Sequence, residues 1–163
     1  MKKEIIRRII KLVIQAQKLA LKIGIPNILQ PGLVKEMLIA EALGHELIRS
    51  KRDADACHPN DPTKKYEYPS CYEGGCGQLD RMFKEPHSKR LESLSRISRN
   101  TMIYFAIFFK DNPLEMKVIY EIKPNELLRE TERQLDRSRN AISHVGFSEN
   151  LAEQNAKVVY RFK

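Results

Sequence analysis

The sequence has little of what marks several large classes of protein. It contains no tryptophan and only three cysteines, Cys57, Cys71 and Cys76. An odd cysteine count without a secretory signal argues against a disulfide scaffold. Charged residues such as Arg7 and Lys11 interrupt the N-terminal apolar segment, so it falls short of the ~20 apolar residues that a membrane span needs. We therefore expect a cytoplasmic protein that does not associate with a membrane.

Positive charge is what the chain has in excess. Lys and Arg number 29 against 21 Asp and Glu, which gives a net charge of +8. Hydrophobic residues make up 42% of the chain, enough for one core, so a single domain over residues 1–163 is predicted. The charge favours a polyanionic partner, of which nucleic acid is the obvious candidate, although a solvated basic surface is the alternative.

The apolar pattern predicts an α/β (α+β) fold with a mixed central sheet flanked by helices. Residues 3–23 form a predicted amphipathic helix with more apolar surface than one core face needs, so residues 1–24 are the predicted dimer contact. A second helix is predicted over 33–48, and the apolar run 101–109 predicts a central strand covered on both faces. The other predicted elements are helices over 86–99 and 123–139, one or two helical turns over 148–154, strands over 114–122 and 157–162, and a short strand or loop over 142–147.

Two acidic segments carry the candidate chemistry. RDADA (52–56) precedes a predicted turn, and KKYEY (64–68) alternates like a strand, so the two segments are predicted to face each other in a hairpin. Asp55 and Glu67 would then lie close enough to hold Mg²⁺, which often takes only one or two carboxylates. Asp53 competes with Asp55 because both share one strand face. Ordinary surface acids are the alternative, but the neighbouring basic residues suit a phosphate path.

The order of these residues resembles the PD-(D/E)xK nuclease superfamily, and in particular its small type II restriction endonucleases of the PvuII kind. A helix glutamate, Glu36, precedes the aspartate-alanine pair and the Y-E-Y of KYEYPS. The resemblance continues through LALKIGIPNILQ (19–30), GLVKEMLIAEALG (32–44), IYFAIFF (103–109), VIYEIKPNELL (118–128) and KVVY (157–160).

This resemblance implies a function and a set of partners. It implies Mg²⁺-dependent hydrolysis of double-stranded DNA at a short specific sequence. It also implies a homodimer that reads a palindrome, with a cognate DNA methyltransferase as the functional partner in the same restriction-modification system.

By position, the resemblance makes Asp55 (or Asp53) and Glu67 the metal ligands. The lysine of the motif would stand two residues after Glu67, where this chain has Pro69. Proline carries no charge, so another group must offset the developing negative charge, or the activity is lost. Lys65, on the predicted strand face of Glu67, is the first catalytic candidate, with Glu36 as a further oxygen. Lys64 is also near in sequence but points away from this face, and Gln78 and Lys84 could return to the site.

Two polar segments and one turn are predicted to contact DNA. YEGGCGQ (72–78) is predicted to be a glycine-rich loop that approaches the bases, and SRNAISHVGF (138–147) offers donors and acceptors of the kind that read base edges. The candidate DNA-binding residues are Gln30, Gln78, Asp80, Arg81, Arg139, Asn140, Ser143 and His144. The arginines of the third predicted helix are either phosphate contacts or a solvated face: Arg90, Arg96 and Arg99.

Two alternatives remain open at this point. The chain could be a DNA-binding protein that kept a nuclease fold and lost the chemistry with the lysine. It could also be a zinc-stabilised nucleic-acid-binding protein, although the spacing of its candidate ligands is poor. Those ligands are Cys57, His58, Cys71, Cys76 and His87.

Overall fold

The computed structural model describes residues 2–48 and 53–163. Arg52, the first residue of the predicted acidic hairpin, lies outside these ranges. The helices are α1 (Lys2–Lys22), α2 (Leu33–Leu43), α3 (His87–Ser98), α4 (Pro124–Arg137) and α5 (Glu149–Asn155). The strands are β1 (Glu46–Leu47), β2 (Ala56–His58), β3 (Asp61–Glu67), β4 (Ser70–Tyr72), β5 (Cys76–Phe83), β6 (Met102–Phe108), β7 (Met116–Ile122), β8 (Ile142–Ser148) and β9 (Lys157–Arg161).

A mixed central sheet organises the molecule, as the sequence predicts. Its strand order is β1-β2-β3-β6-β7-β9, and β4 also pairs with β6. The pairs β3–β6 and β4–β6 are parallel, whereas the other pairs are antiparallel. β3 and β4 therefore lie along the same side of β6, one after the other, and the break between them falls at Tyr68 and Pro69. The α/β fold class is confirmed.

The apolar run 101–109 is explained by two cores, one on each face of the sheet. Successive residues of β6 alternate between them. Phe105 belongs to a core that includes Leu127 of α4, and Ala106 belongs to a core that includes Ile39 of α2. A strand that is covered on both faces has no solvent-facing positions for polar residues, so its sequence is apolar throughout.

The loop predicted over 72–78 is too long, because only residues 73–75 lie outside the strands. This segment contains the end of β4, a tight turn and the start of β5, which pairs with β8 in a separate two-stranded ribbon. Gly77 allows close packing, because a Cβ on this residue would lie 2.6 Å from a ring carbon of Phe147 and 2.8 Å from one of Phe105. Glycine at this position therefore marks a strand pressed against aromatic rings.

Two other boundaries differ from the sequence prediction. α2 ends at Leu43 because Gly44 takes the left-handed conformation (φ 67°) and closes the helix through its backbone N–H. The residues predicted to be the last turn of this helix include β1. The turn predicted between the two acidic segments ends before DPT (61–63), because these three residues already open β3.

The helix predicted for residues 3–23 is confirmed as α1, but α1 adds little to the core of this chain. Ala20 is its buried residue, and a row of large apolar side chains is about half exposed. No helix among residues 2–48 and 53–163 is long and apolar enough to cross a membrane. The large apolar surface of α1 is thus left open in the single chain.

Candidate active site

The β2–β3 hairpin brings Asp55 and Glu67 to the same end of the sheet. Asp55 directly precedes β2, and its backbone N–H donates to the carbonyl of Tyr66 at 3.0 Å. Its carboxylate Oδ2 accepts a hydrogen bond from the backbone N–H of Tyr68 at 2.7 Å. Glu67 is the last residue of β3, and its neighbour on β6 is Ile103. Asp55 is therefore hydrogen-bonded to the two residues that flank Glu67 in the chain, Tyr66 and Tyr68.

The two carboxylates stand in an environment that disfavours their charges. Burial, followed by the negative charge of Asp55, raises the pKa of Glu67 to about 8. Burial also raises the pKa of Asp55, against the hydrogen bond from Tyr68 and the charge of Arg99. Within the described chain, the buried Oε2 of Glu67 has no hydrogen-bond partner. A cation between such groups would relieve both their repulsion and the lost hydration.

Glu36 approaches this pair from α2. Its negative charge is among the causes that raise the pKa of Glu67, which places its side chain near the same site. Its Oε1 also lies 3.0 Å from the position that a Cβ would take on Gly32. The absence of a side chain at Gly32 thus leaves room for the carboxylate of Glu36. The charge of Glu36 thus reaches Glu67, but within residues 2–48 and 53–163 these acids are not arranged as a three-ligand metal group.

Asp53 and Lys65 are bound to each other. The Nζ of Lys65 lies 2.6 Å from Oδ1 of Asp53, and this contact is the largest cause that lowers the pKa of Asp53. The lysine head group therefore turns toward Asp53 instead of Glu67, and Asp53 already has a cationic partner. Between the two predicted aspartates, Asp55 is the one whose pKa is raised by burial, whereas the pKa of Asp53 is lowered by Lys65.

Pro69 occupies the position of the motif lysine as a buried structural residue. Its carbonyl accepts a hydrogen bond from the backbone N–H of Ala106 at 3.0 Å, so it bridges β3 and β4 on the same side of β6. Lys84, another candidate to replace the lysine, donates to the carbonyl of Ser138 at 2.9 Å. Gln78 lies on the ribbon.

The two segments predicted to contact DNA are the two strands of this ribbon. Gln78 and Asp80 of β5 are exposed, whereas their neighbour Leu79 is buried against Val145 of β8. His144 is exposed on β8, and its Nδ1 lies 2.9 Å from Oδ1 of Asp80 across the strands. Residues from distant parts of the sequence therefore form one continuous polar surface.

A bulge in β5 places Arg81 on this surface too. The register between β5 and β8 shifts between Leu79 and Met82, and Arg81 takes a φ of 53°. Because a bulge adds one residue to a strand, both Asp80 and Arg81 are exposed. Arg96 of α3 donates from Nη1 to the carbonyl of Asp80 at 3.0 Å, which links the ribbon to that helix.

The remaining predicted DNA contacts lie elsewhere. Gln30 lines a separate cleft of about 510 Å³ with Lys35 and Tyr72. Arg139 and Asn140 are exposed in the connection between α4 and β8. Ser143 is turned toward Ser138, with their hydroxyl oxygens 2.6 Å apart. Only part of the predicted set therefore shares the ribbon surface.

The sequence did not predict the aromatic cluster next to Asp55, which consists of His45, Tyr66 and Tyr68. The hydroxyl of Tyr68 lies 2.7 Å from Nδ1 of His45, and the His45 ring stacks on Tyr66 with centroids 4.2 Å apart. Tyr68 thus contacts Asp55 through its backbone and His45 through its side chain. The one sequence signal was the cluster of tyrosines around Glu67, which the alternation assigned to an ordinary strand.

Zinc gains no support from the geometry. Within residues 2–48 and 53–163, no three or more His, Cys, Asp or Glu side chains are arranged to hold a metal ion by themselves. Cys57 and Cys71 are buried and Cys76 is exposed, and all three are free thiols. A metal at Asp55 and Glu67 would thus depend on water and substrate for its other ligands.

Comparison of the chain with known proteins assigns it to no family. No model of a protein family matches the chain, and no curated protein matches it.

Proposed function

We propose that the protein is a type II restriction endonuclease of the PD-(D/E)xK superfamily, PvuII-like in its order of elements. It would hydrolyse phosphodiester bonds of double-stranded DNA at a short specific sequence with Mg²⁺ as the cofactor. The observation that carries the proposal is the pair Asp55 and Glu67, in which a buried carboxylate oxygen of Glu67 lacks a hydrogen-bond partner among the described residues. The sequence resemblance independently selects the same two acids.

Asp55 and Glu67 fit Mg²⁺ by their chemistry. This ion binds hard oxygen ligands and often takes only one or two carboxylates, with water and substrate phosphate in the other positions. Glu36 is a further oxygen near the pair. When bound, Mg²⁺ would polarise a phosphoryl oxygen and lower the pKa of a coordinated water.

The chain's own residues would hold and orient the components. The N–H of Tyr68 fixes one oxygen of Asp55, and so leaves the other for a ligand. Burial and the charge of Asp55 disfavour the ionised form of Glu67. A bound cation would stabilise this ionised form.

The ribbon formed by β5 and β8 would supply the reading of DNA sequence. A two-stranded antiparallel ribbon fits the major groove, where amide, guanidinium and imidazole groups pair with base edges. Gln78, Arg81 and His144 are exposed residues of this ribbon that offer these groups. The net charge of +8 favours the phosphate backbone.

We further propose a homodimer, with one active site for each half of a palindrome. The exposed apolar face of α1 supports it as the dimer contact. A cognate DNA methyltransferase would protect the host sequence as the functional partner. The three free thiols suit the reducing cytoplasm in which we place this activity.

Cleavage of a long double-stranded DNA of mixed sequence tests the proposal. With Mg²⁺ the wild type is expected to give discrete fragments, and with EDTA none. Asp55→Asn and Glu67→Gln should each slow cleavage by about 100-fold or more, because each removes a metal ligand. Asp61→Asn, which changes a partly exposed acid at the other end of β3, should cut like the wild type. If Glu67→Gln cuts as fast as the wild type, the site is wrongly assigned.

Pro69 favours a second candidate, a DNA-binding protein without nuclease activity. Such a protein would bind a specific duplex in the presence of Ca²⁺ and leave it uncut when Mg²⁺ replaces Ca²⁺. The same preparation of wild-type protein separates the two functions.

A further inference from the structure

The orientation of the Asp55 carboxylate depends on the backbone of Tyr68. The backbone of Asp55 is itself fixed, because its N–H donates to the carbonyl of Tyr66 at 3.0 Å and its carbonyl accepts from the N–H of Ile48 at 2.9 Å. The carboxylate oxygen Oδ2 accepts from the N–H of Tyr68 at 2.7 Å. A shift of this N–H would therefore turn the carboxylate without moving the backbone of Asp55.

Tyr68 lies at the break between β3 and β4, outside the paired strands. The backbone of a residue within a strand is held by the hydrogen bonds of the ladder, whereas the N–H of Tyr68 is used by Asp55. The side chain of Tyr68 provides an anchor instead. Tyr68 is 4% exposed, and its hydroxyl lies 2.7 Å from Nδ1 of His45. The position of the N–H thus depends on the contacts of the Tyr68 side chain.

His45 is a rigid anchor for that hydroxyl. Its N–H donates to the carbonyl of Ala40 at 2.9 Å, and Gly44 before it takes the left-handed conformation, as in a Schellman motif at the end of α2. β1 begins at the next residue and pairs with β2. The His45 ring also stacks on Tyr66 with centroids 4.2 Å apart. The backbone and the ring of His45 are therefore both held in place.

We infer that His45 is a positioning residue: its hydrogen bond to the Tyr68 hydroxyl fixes the backbone N–H that orients the Asp55 carboxylate for Mg²⁺. This inference rests on the proposed nuclease function. Groups that lie one layer behind the ligands hold the ligand oxygens in the geometry that a metal ion requires. Because His45 acts through Tyr68, loss of the bond should weaken Mg²⁺ binding more than it slows the chemical step.

Tyr104 provides a comparison beside the same aromatic cluster. Its ring centroid lies 5.2 Å from that of His45 and 6.2 Å from that of Tyr68, so it shares their packing. Its hydroxyl, however, donates to a carboxylate oxygen of Glu121 at 3.2 Å. Removal of either tyrosine hydroxyl therefore costs one polar contact in the same region, but the hydroxyl that contacts His45 is that of Tyr68.

Binding of Mg²⁺ to the DNA-free protein tests the inference without requiring cleavage. The apparent affinity follows from the rise in melting temperature with Mg²⁺ concentration at a fixed pH, because a ligand stabilises the folded state that binds it. Tyr68→Phe should weaken this affinity by about tenfold, while Tyr104→Phe, the matched control, should keep the wild-type affinity. The melting temperature without Mg²⁺ checks that each variant folds.

Variants of His45 separate its hydrogen bond from its stacking. His45→Phe keeps a ring for Tyr66 but has no ring nitrogen, so it should weaken the Mg²⁺ affinity by about tenfold. His45→Asn gives up the ring but places an amide near the position of Nδ1, where it can bond to the Tyr68 hydroxyl, so it should bind Mg²⁺ more tightly than His45→Phe. The double variant His45→Phe, Tyr68→Phe should lose no more than the larger of the two single losses, because both changes remove the same bond.

Single-turnover cleavage of a duplex that carries the site mapped with the wild type gives a second readout. In Tyr68→Phe and His45→Phe the Mg²⁺ concentration for the half-maximal rate should rise by about tenfold. The rate constant at saturating Mg²⁺ should stay near that of the wild type. A general loss of packing would instead lower the rate constant at every Mg²⁺ concentration.

The outcomes separate the inference from the function on which it rests. If Mg²⁺ binds the wild type and folded Tyr68→Phe equally well, or if Tyr104→Phe loses as much affinity as Tyr68→Phe, the inference is wrong and the nuclease proposal stands. If the losses of the two single variants add up in the double variant, His45 does not act through Tyr68 and the inference is again wrong. If the wild type neither binds Mg²⁺ nor cuts DNA, both the function and the inference fall.

Discussion

Glu67 has two properties that both disfavour its charged form in the free protein. Its carboxylate is largely buried, so its charged form loses hydration, and it lies near Asp55, so its charged form is also repelled. Both effects raise its pKa to about 8, well above the pKa of a carboxyl group in an unfolded chain. A residue that makes the folded state less stable when ionised has a reason to be present only if something else binds it.

The pH dependence of stability tests this conflict in the metal-free protein. Between about pH 4.5 and pH 8 the unfolded chain releases the Glu67 proton while the folded chain keeps it, so the free energy of unfolding falls as pH rises. Glu67→Gln removes this titration. From about pH 5 to pH 8 the variant should gain roughly 2 kcal/mol on the wild type, or about 4–8 °C in melting temperature.

Thermal unfolding in EDTA at several pH values measures the effect. Glu132→Gln, on the exposed part of α4, is the control and should follow the wild type at every pH. Added Mg²⁺ should stabilise the wild type and leave Glu67→Gln unchanged, because a ligand stabilises only the folded state that binds it. Parallel pH profiles for wild type and Glu67→Gln would contradict the raised pKa.

Sequence reasoning succeeded with elements whose periodicity comes from one dominant environment. The apolar run around Phe105 predicts a buried central strand, and the amphipathic pattern of residues 3–23 predicts α1. The loop prediction for 72–78 was inaccurate because glycine occurs both in loops and in tightly packed strands. A glycine in a loop and a glycine pressed against aromatic rings look alike in sequence, and only the positions of Phe105 and Phe147 distinguish them.

The same limit applies to the site. The sequence supplies Asp55 and Glu67 by their spacing around a turn, because a hairpin is a local structure. Ile103 is far from Glu67 along the chain, and the two become neighbours only through the parallel pairing of β3 with β6. Long-range pairing of this kind leaves no periodic signal in a single sequence.

Two glycines of the ribbon provide a test at the scale of an element. A Cβ on Gly77 would meet ring carbons of Phe147 and Phe105 at 2.6 and 2.8 Å, whereas a Cβ on Gly146 would have its nearest neighbour at 3.8 Å. Gly77→Ala should therefore destabilise the protein by about 1–3 kcal/mol through overpacking. Gly146→Ala should change the free energy of unfolding by less than about 1 kcal/mol.

Urea unfolding of the two variants decides between packing and flexibility as the reason for glycine at position 77. A loop glycine would tolerate alanine at either place. Equal stability of Gly77→Ala and Gly146→Ala would contradict the packing explanation and would reopen 72–78 as a mobile loop.

At the scale of the molecule, the exposed apolar face of α1 bears on the oligomeric state. α1 exposes Ile6, Ile9 and Ile10 by 56%, 53% and 52% of their surface, and residues four apart on a helix share one face. Contiguous apolar surface of this kind marks an interaction site. A nuclease that reads a palindrome needs two copies of one site related by a two-fold axis, so the open face of α1 and the proposed function lead to the same oligomeric state.

Charge placed on this face should separate the subunits. The double variant Ile6→Glu, Ile10→Glu is expected to sediment as a monomer where the wild type is a dimer, because association would bury four new carboxylates, two from each chain. Gln15→Glu adds negative charge at an exposed position of the same helix and should remain a dimer. Since the double variant leaves Asp55, Glu67 and the ribbon intact, it should still bind DNA weakly but should lose most of its cleavage of both strands at one site. A wild type that is monomeric at micromolar concentration, with and without its DNA, would contradict this role of α1.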